Sequence, residues 1–486
     1  MPNPGADPLS PPGPLGAPQR LRGGVLGMAD IAAATMANVG PAMSFFFGFA
    51  FLATTAGVAS PLTIAAAGVA VALLGNTLAE FSRAHPSAGS FITFVGKTFG
   101  PVSAVTTALL AALGYIVAMA GVISISGGFV QITLQYYTGI DLPWIIWTLL
   151  LTGLAVVLML RGVVVSTKWA GYFFGAEMLM LIVVSVAALV EHHGSLSVDP
   201  FLPRHISGGF NGLAAGFPLA VYLFIGWENS AALAEETENP RRNVGRAVFS
   251  SIAIMTVSYI LFAYATVTGF GYDVARLGDS RIPFIEVAHD TLGVLAFLAY
   301  LGGLTSTLGV LIAGINSQAR LVFNAGREGL LPAFFGYVHP VRRTPNNAIV
   351  TFTAIALLII GGWGLGHLLG SGPMNPVVFF TESSTLGAIL ILLVYLASNI
   401  ALPLYYRRYR PQEFRVVRHL LLPALGTVAI LVPLYYLAKP GQPAPYNWFP
   451  YAAIATLLVA VGYATILVRR DPILAERVGS IVADAD

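Results

Sequence analysis

The sequence predicts an all-α polytopic membrane protein with 12 transmembrane helices. Only 10% of its 486 residues are charged and 56% are hydrophobic, whereas a soluble protein keeps roughly a quarter of its residues charged. Stretches such as 144–160 and 292–311 contain no charged residue, and each is close to the roughly 20 residues that cross about 30 Å of hydrocarbon. Most of the chain is therefore expected to face lipid or other helices.

The apolar segments divide into twelve predicted spans: 27–57, 59–82, 103–136, 142–160, 164–190, 209–236, 246–271, 290–322, 346–366, 376–406, 419–438 and 447–468. Their loops give an orientation, because short cytoplasmic loops carry an excess of Lys and Arg. With the amino terminus inside, 21 of the 25 basic residues fall on the inner side, and the exceptions are Arg204, Arg276, Arg281 and Lys439. The sequence thus predicts a multi-pass protein of the cell (plasma) membrane with cytoplasmic N- and C-termini.

The two chain ends are expected to be cytoplasmic tails, at 1–24 and 471–486. The first is rich in Pro and Gly and lacks an apolar core, so it predicts disorder rather than a signal peptide. The chain has no cysteine, which excludes disulfides and thiolate metal sites. Its basic residues form short clusters between apolar runs rather than one patch, so no nucleic acid partner is predicted.

Two predicted spans are interrupted near their middle, the first by 38–42 (NVGPA) and the sixth by 224–228 (FIGWE). Proline removes a backbone donor and glycine lowers helix propensity. Taken alone, each run also fits a tolerated kink in a regular helix. Because the first and sixth spans hold equivalent places in two five-span halves, matching breaks indicate an inverted-repeat transporter with a site at the bilayer midplane.

Five groups of residues occur along the chain in a recognisable order: 79–83 (AEFSR) with 85–90 (HPSAGS), 224–230 (FIGWENS) with 234–244 (AEETENPRRNV), 316–323 (NSQARLVF) with 326–332 (GREGLLP), 344–348 (TPNNA) and 399–403 (NIALP). Together they resemble the amino acid–polyamine–organocation (APC) superfamily, the amino acid permeases. The resemblance implies a LeuT-type fold, a 5+5 inverted repeat with broken helices 1 and 6 plus two C-terminal helices. It also implies carriage of amino acids or related amines by alternating access.

The resemblance divides the chain into a transport core at 25–410 and two further transmembrane helices, 11 and 12, at 411–470. Repeat one is 25–190 and repeat two is 207–410. The substrate is expected between spans one, three, six, eight and ten. The predicted substrate-binding residues are Asn38, Val39, Gly40, Pro41, Ala42, Tyr222, Phe224, Ile225, Gly226 and Trp227.

The chemistry of the two breaks favours an amine-bearing substrate. A half-helix that begins near Ala42 offers free N–H groups and a positive dipole end to a carboxylate. Pro41 has no N–H, however, where the family usually has a Gly-small-Gly stretch. Free carbonyls around Ile225 and Gly226 can accept a substrate ammonium. Tyr222 stands where relatives carry an aromatic lid, although simple packing remains an alternative for it.

Three acidic residues within the spans are candidates for proton coupling or gating: Glu177, Glu228 and Glu382. Intramembrane carboxylates are costly and mark functional positions by default. Glu177 stands where several relatives carry a lysine, and there it can load a proton, bind a cation, or be held by neighbouring hydroxyls. Glu228 matches a glutamate that relatives use in gating or proton sensing, and a structural role stays open. Glu382 is expected to line the outward pathway.

Charged residues also cluster at the predicted cytoplasmic ends of the spans, where they form either an inner gate of ion pairs or solvated helix ends: Glu80, Arg83, Glu235, Glu236, Arg241 and Arg242.

The predicted function is secondary active transport of amino acids or related amines, with H+ as the coupling ion in a symport and Na+ less favoured. An amino acid/polyamine exchanger without net proton coupling is the alternative, and a transporter-like membrane sensor is the alternative from a different class. No Walker loop and no catalytic grouping is evident, so neither ATP coupling, an enzyme, a metal nor another cofactor is predicted. The expected partners are the substrate and the lipid bilayer, and the oligomeric state is open.

Overall fold

The computed structural model describes residues 21–370 and 374–483, which are built of α-helices joined by turns and short loops. The helices are α1 (Met28–Val39), α2 (Pro41–Ala56), α3 (Ser60–Ala84), α4 (Phe91–Phe99), α5 (Pro101–Thr138), α6 (Trp144–Leu160), α7 (Val163–Glu191), α8 (Phe210–Tyr222), α9 (Asn229–Ala232), α10 (Pro240–Gly269), α11 (Val274–Asp279), α12 (Pro283–Leu292), α13 (Phe297–Arg327), α14 (Asn346–Gly370), α15 (Pro376–Tyr409), α16 (Leu422–Ala438), α17 (Phe449–Arg470) and α18 (Leu474–Arg477).

The predicted spans coincide with these helices, and the first and sixth coincide with the pairs α1–α2 and α8–α9. Nine helical segments of the described residues are long and apolar enough to cross a membrane, and one of them, Met28–Ala84, covers the first two predicted spans. Two further apolar helices, α6 and α8, are shorter. The all-α class is confirmed, while the number of twelve crossings stays a prediction.

The inner helices of the two predicted halves pack against one another. The second helices of the two halves, α3 and α10, lie against each other, and so do α13 and α7. α5 runs along α15. The peripheral helices α16 and α17 instead expose large apolar side chains such as Val428, Leu458 and Val459. This arrangement puts the packed core around the two breaks and an apolar surface on the outside, as a lipid solvent requires.

The sixth predicted span, 209–236, is less regular than two half-helices. α8 ends at Tyr222, residues 223–228 form turns, and α9 is a single helical turn followed by a 3-10 turn at Ala234–Glu236. Gly226 explains part of this geometry, because its φ of 109° is open to glycine and not to an ordinary helical residue. The second half of this span is therefore an extended break.

Both chain ends, where they are described, pack on one face of the helix bundle, which we call the terminal face. The N–H of buried Leu21 donates to Glu235 Oε1 at 2.6 Å, and the N–H of Ala483 donates to the Pro86 carbonyl at 2.9 Å. Residues 474–483 of the predicted C-terminal tail, 471–486, are thus folded back onto the terminal face. Residues 1–20 of the predicted disordered tail, and 484–486, lie outside the described residues.

Candidate functional site

The break in the first span is a sharp turn at one glycine. Gly40 has φ 61° and ψ 67°, and its N–H closes α1 on the carbonyls of Met36 and Ala37. α2 begins at the next residue with Pro41, whose missing N–H costs nothing at the first helical position. A Cβ on Gly40 would lie 3.2 Å from Val310, so α13 also packs closely on the turn.

The two breaks contact each other directly. Asn38 Nδ2 donates to the Gly226 carbonyl at 3.2 Å. A Cβ on Gly226 would lie 2.9 Å from Asn38 Nδ2 and 3.0 Å from the Asn38 backbone. A glycine is therefore required at this point both by its φ and by the close approach of the first span.

A cavity of about 60 Å³ lies beside this contact. Since a water molecule needs roughly 10–15 Å³ by such a measure, the cavity accommodates a few waters or a small solute. Helices α1, α2, α5, α8, α13 and α15 supply its lining, together with the break at 225–226. The lining residues are Asn38, Val39, Met43, Ser44, Tyr115, Ala118, Met119, Val122, Ile125, Tyr222, Ile225, Gly226, Val310, Gln318, Phe380, Ser384, Ala388 and Ile391.

An aromatic pair closes the cavity on the side away from the terminal face. The rings of Tyr222 and Phe380 meet edge to face with centroids 6.0 Å apart. A second cavity of about 110 Å³ lies beyond them, and both cavities border the same two rings. Tyr222 and Phe380 are therefore walls that the two cavities share, together with Ile225, Ser384 and Ala388.

Glu228 lies next to the cavity, in a polar cluster that stabilises the backbone of the second break. Its Oε1 accepts from the Tyr115 hydroxyl at 2.8 Å, and its Oε2 accepts from the Gly226 N–H at 3.2 Å. Tyr395 lies beside the same carboxyl. This buried carboxyl therefore replaces a helical hydrogen bond in the irregular segment and ties it to α5.

Glu177 lies on α7, on the other side of α2. The polar groups closest to it are the Ser306 hydroxyl of α13 and the backbone N–H of Ala42 in the first turn of α2. Its side chain is buried, and neither carboxyl oxygen reaches a partner at hydrogen-bond distance within the described residues. The Met43 N–H also points to Ser306 Oγ, at 3.3 Å. The amino end of α2 thus faces a carboxyl and a hydroxyl of the protein itself.

Two buried ion pairs close the bundle toward the terminal face. Arg320 of α13 holds Glu236 with N–O distances of 2.6 and 3.0 Å, and both side chains are fully buried. Arg327, two turns further along α13, holds Glu235 at 2.5 Å. The predicted inner gate is therefore built differently: Glu235 and Glu236 pair with α13, while Arg241 donates to the carbonyls of 83 and 84.

Five of the ten predicted substrate-binding residues line the cavity, and these are Asn38, Val39, Tyr222, Ile225 and Gly226.

The other five predicted residues do not border the cavity. Residues 40–42 form the turn and the start of α2 behind it. Phe224 packs edge to face on Tyr259, at 5.4 Å between centroids, and Trp227 packs on Tyr395 at 5.6 Å. Both aromatic residues are buried packing elements, because the turns at 223–228 rotate them away from the break's open side.

Glu382 does not line the cavity either, although its neighbours 381 and 384 border one or both cavities. Trp363 Nε1 donates to Glu382 Oε2 at 2.9 Å, and His367 Nε2 lies 3.7 Å from the same oxygen. The carboxyl is thus directed toward α14 instead of the expected outward pathway.

Sequence reasoning named spans three, eight and ten as lining, but Glu382 was the only individual residue of these spans that it proposed. The structure adds Tyr115 and Met119 from α5, Gln318 from α13, and Phe380 and Ser384 from α15. The hydroxyls and the amide were detectable in principle, since a polar side chain inside an uncharged apolar run needs a partner within the membrane. Met119 and Phe380 resemble any other apolar residue of a span.

Comparison with known proteins places this architecture in a family. Residues 30–472 match the family model for amino acid permeases. The chain is similar to the methylthioribose transporter of Bacillus subtilis (strain 168), 27% identical over 353 residues that cover 68% of this chain and 73% of that protein. It is similar to the branched-chain amino acid permease BcaP of the same organism, 25% identical over 421 residues, with 80% and 82% covered.

A human protein and a solved structure extend the comparison. The human cystine/glutamate transporter is 26% identical over 328 residues, which cover 65% of this chain and 64% of that protein. The structure of Mhp1, a nucleobase-cation-symport-1 family transporter in a closed conformation with bromovinylhydantoin bound, superposes with a TM-score of 0.54 at 15% identity, covering 95% and 98% of the two chains. That likeness shows the fold. The chain is accordingly a multi-pass membrane transporter, not an enzyme, and it belongs to the amino acid permease family of the APC superfamily.

Proposed function

We propose that this permease is a proton-coupled symporter that moves a neutral amino acid or a related amine through the cavity by alternating access. The observation that carries the proposal is the position of Glu177. Its buried carboxyl faces the amino end of α2 and the Ser306 hydroxyl, and it meets no cationic side chain at ion-pair distance within the described residues.

A charge on Glu177 needs compensation, because an ionised carboxylate in an apolar interior is very costly without a partner. A bound proton supplies that compensation and removes the charge. Since Glu177 lies beside both α2 and α13, gaining or losing the proton changes the contact between the interrupted first span and α13. This links protonation to the movement that opens one side of the cavity.

Sodium fits the site less well. Na+ prefers several oxygen ligands, as do the other hard cations. The groups beside the Glu177 carboxyl are one hydroxyl, that of Ser306, and the backbone N–H of Ala42, and an N–H cannot be a ligand of a cation. The Ser306 hydroxyl, one of the oxygens near Glu177, already accepts from the Met43 N–H.

The lining of the cavity supports a substrate with a neutral side chain. Among its described residues the polar groups are Asn, Ser, Tyr and Gln, and the rest are apolar or glycine. No acid or base is present there to pair with a charged side chain, which would be expensive to bury alone. Cystine/glutamate and branched-chain amino acid carriers are both among the relatives, and this lining resembles what the second would need.

We further propose that the terminal face is cytoplasmic and that the membrane is the cell membrane. The basic residues assigned outside, such as Arg204 and Arg276, belong to segments that follow α7 and α10 on the opposite face. By the positive-inside rule this distribution supports a cytoplasmic position of the chain ends.

The test is uptake into proteoliposomes, with radiolabelled leucine and alanine and an imposed pH gradient. The wild type should accumulate substrate when the lumen is alkaline. Glu177→Gln, which is permanently neutral, should lose this accumulation at least tenfold and keep exchange against preloaded substrate. Glu286→Gln, at a half-exposed acid that pairs with Arg276, is the matched control and should behave as the wild type.

Two results would overturn the proposal. Wild-type uptake that requires preloaded substrate and ignores the pH gradient would identify an exchanger. Unchanged gradient-driven accumulation in Glu177→Gln would remove Glu177 from the coupling. Substrate identity is read independently, from the shift in melting temperature that each candidate produces. Saturation at 100 times the dissociation constant stabilises the folded state by roughly 2.7 kcal/mol.

A further inference from the structure

A large basic cavity lies on the terminal face, apart from the transport site. Its volume is about 660 Å³, and it is an open depression bordered by α4, the start of α5, the end of α15 and the C-terminal segment 475–478. The polar side chains that line it are His85, Lys97, Thr98, Tyr405, Arg408, Tyr409 and Arg410. Three permanent cations and no carboxylate therefore border one concave surface, among the described residues that form it.

The positive charge of this cavity is only partly neutralised. Arg410 bonds to Glu413 at 2.9 Å and to the Ala84 carbonyl at 3.1 Å. Lys97 and Arg408 have no carboxylate within ion-pair distance in the described part of the chain. An anion of charge −1 or −2 is thus the complementary ligand.

His85 adds a hydrogen-bonding group rather than a further charge. Burial and the nearby Lys97 lower the pKa of His85 to about 4, so its ring is neutral at pH 7. Its Nε2 lies 3.0 Å from the Gly479 carbonyl, which requires the N–H tautomer at that nitrogen. The histidine therefore holds the C-terminal segment in place as one wall of the cavity.

An apolar groove continues from this cavity into the membrane region. It measures about 500 Å³ and lies between α4, α5, α15 and α17. Phe99 borders both the groove and the basic cavity, and 46% of its surface is exposed. The remaining lining is mostly aliphatic, with Val102, Leu110, Leu393, Ala397, Ile400 and Leu457 among it.

The dimensions and order of the two surfaces match one kind of molecule. The groove follows α15 from residue 400 to residue 393, a rise of about 10 Å along a helix, away from the basic end. Lys and Arg next to the ends of transmembrane helices attract anionic headgroups, and basic pockets between such helices bind them. A soluble anion would use the cavity and leave the groove unexplained.

We propose that the basic cavity and the apolar groove together bind one anionic phospholipid, with the phosphate between Lys97 and Arg408 and an acyl chain along α5 and α15. The same two helices carry Tyr115 and Phe380 of the transport site. A lipid wedged between their terminal ends therefore bears on the spacing of the helices that line the substrate cavity.

The test is lipid retention by the full-length carrier, measured by native mass spectrometry after delipidation and titration with phosphatidylglycerol or phosphatidylcholine. The wild type should retain one phosphatidylglycerol and no phosphatidylcholine. The double variant Lys97→Gln/Arg408→Gln should bind phosphatidylglycerol about 30-fold more weakly, from the usual contribution of each juxtamembrane cation. Arg407→Gln changes an adjacent exposed arginine outside the cavity, which stacks on Phe414, and should bind as the wild type does.

A second variant separates the lipid from a free anion. Ala397→Trp fills the groove without touching the basic cavity, and it should abolish retention of phosphatidylglycerol. Inorganic phosphate, titrated by thermal shift, should not bind measurably to the wild type or to Ala397→Trp at phosphate concentrations below 10 times that of the lipid. Three results would each overturn the proposal. The first is equal retention of the two lipids by the wild type, and the second is equal binding of phosphatidylglycerol by the charge variant and Arg407→Gln. The third is phosphate binding and lipid retention that both persist in Ala397→Trp.

Discussion

The buried pair Arg320–Glu236 is the contact whose disruption we expect to cost most stability. Both side chains are fully buried, and the carboxylate receives two guanidinium N–H groups at 2.6 and 3.0 Å. Removing one partner leaves an uncompensated buried charge, which costs about 3–5 kcal/mol. We therefore expect Glu236→Met and Arg320→Met each to lower the free energy of unfolding by about that amount.

The double variant Glu236→Met/Arg320→Met should recover most of the loss. Replacing a buried ion pair by apolar residues of similar size is often neutral, because two desolvation penalties disappear with the attraction. The exposed pair Arg276–Glu286, at 3.2 Å, provides the control. Arg276→Gln should cost less than about 1 kcal/mol.

The assay is equilibrium unfolding in mixed micelles, followed by the fluorescence of the six tryptophans. A second readout is the accessibility of the terminal face. The chain has no cysteine, so a cysteine introduced by Ala232→Cys is the only residue that a maleimide can label. Ala232 is buried, beside Glu228. A broken ion pair should speed labelling by a membrane-impermeant maleimide. Single variants that lose less than about 1 kcal/mol, or losses that add without coupling in the double variant, would refute the reasoning.

Two further predictions concern backbone fit and pH. Gly226→Ala should cost about 1–3 kcal/mol in unfolding free energy, because its φ is 109° and its Cβ would meet Asn38 at 2.9 Å; Gly153→Ala, with open space around it, should be neutral or stabilising, and equal costs would contradict this. Burial raises the pKa of Glu328, at the terminal end of α13, to about 7. The stability that its protonated form contributes is present below pH 4.5 and lost as the pH rises through 7. The free energy of unfolding of the wild type should therefore fall by about 2–3 kcal/mol relative to that of Glu328→Gln between pH 5 and pH 8; parallel pH profiles of the two proteins would contradict this.

Sequence alone was sufficient for the class, the family and the two breaks. The near-absence of charge over long runs leaves no soluble alternative, and Pro41 and Gly226 both disfavour one continuous regular helix through their positions. The family was predicted from groups of residues in a recognisable order, and the match of residues 30–472 to the family model confirmed it. These conclusions depend on properties local to the chain, such as composition, backbone propensity and residue order.

The candidate site was predictable only in part, for a physical reason. Asn38 and Ile225 were predicted from their place at the breaks, and both border the cavity. The orientations of Trp227 and Glu382 could not be predicted from sequence, because they depend on how the irregular turns and α14 place each side chain.

The tertiary structure alone decided which charges meet. Glu236 forms an ion pair with Arg320, 84 residues away in sequence, and Glu228 accepts a hydrogen bond from Tyr115, 113 residues away. Glu177 finds a hydroxyl and a helix end but no cation in the described chain. Side chains far apart in sequence become partners only when helix packing brings them together, and in a membrane interior that packing decides which carboxyls gain a hydrogen-bonding partner and which do not.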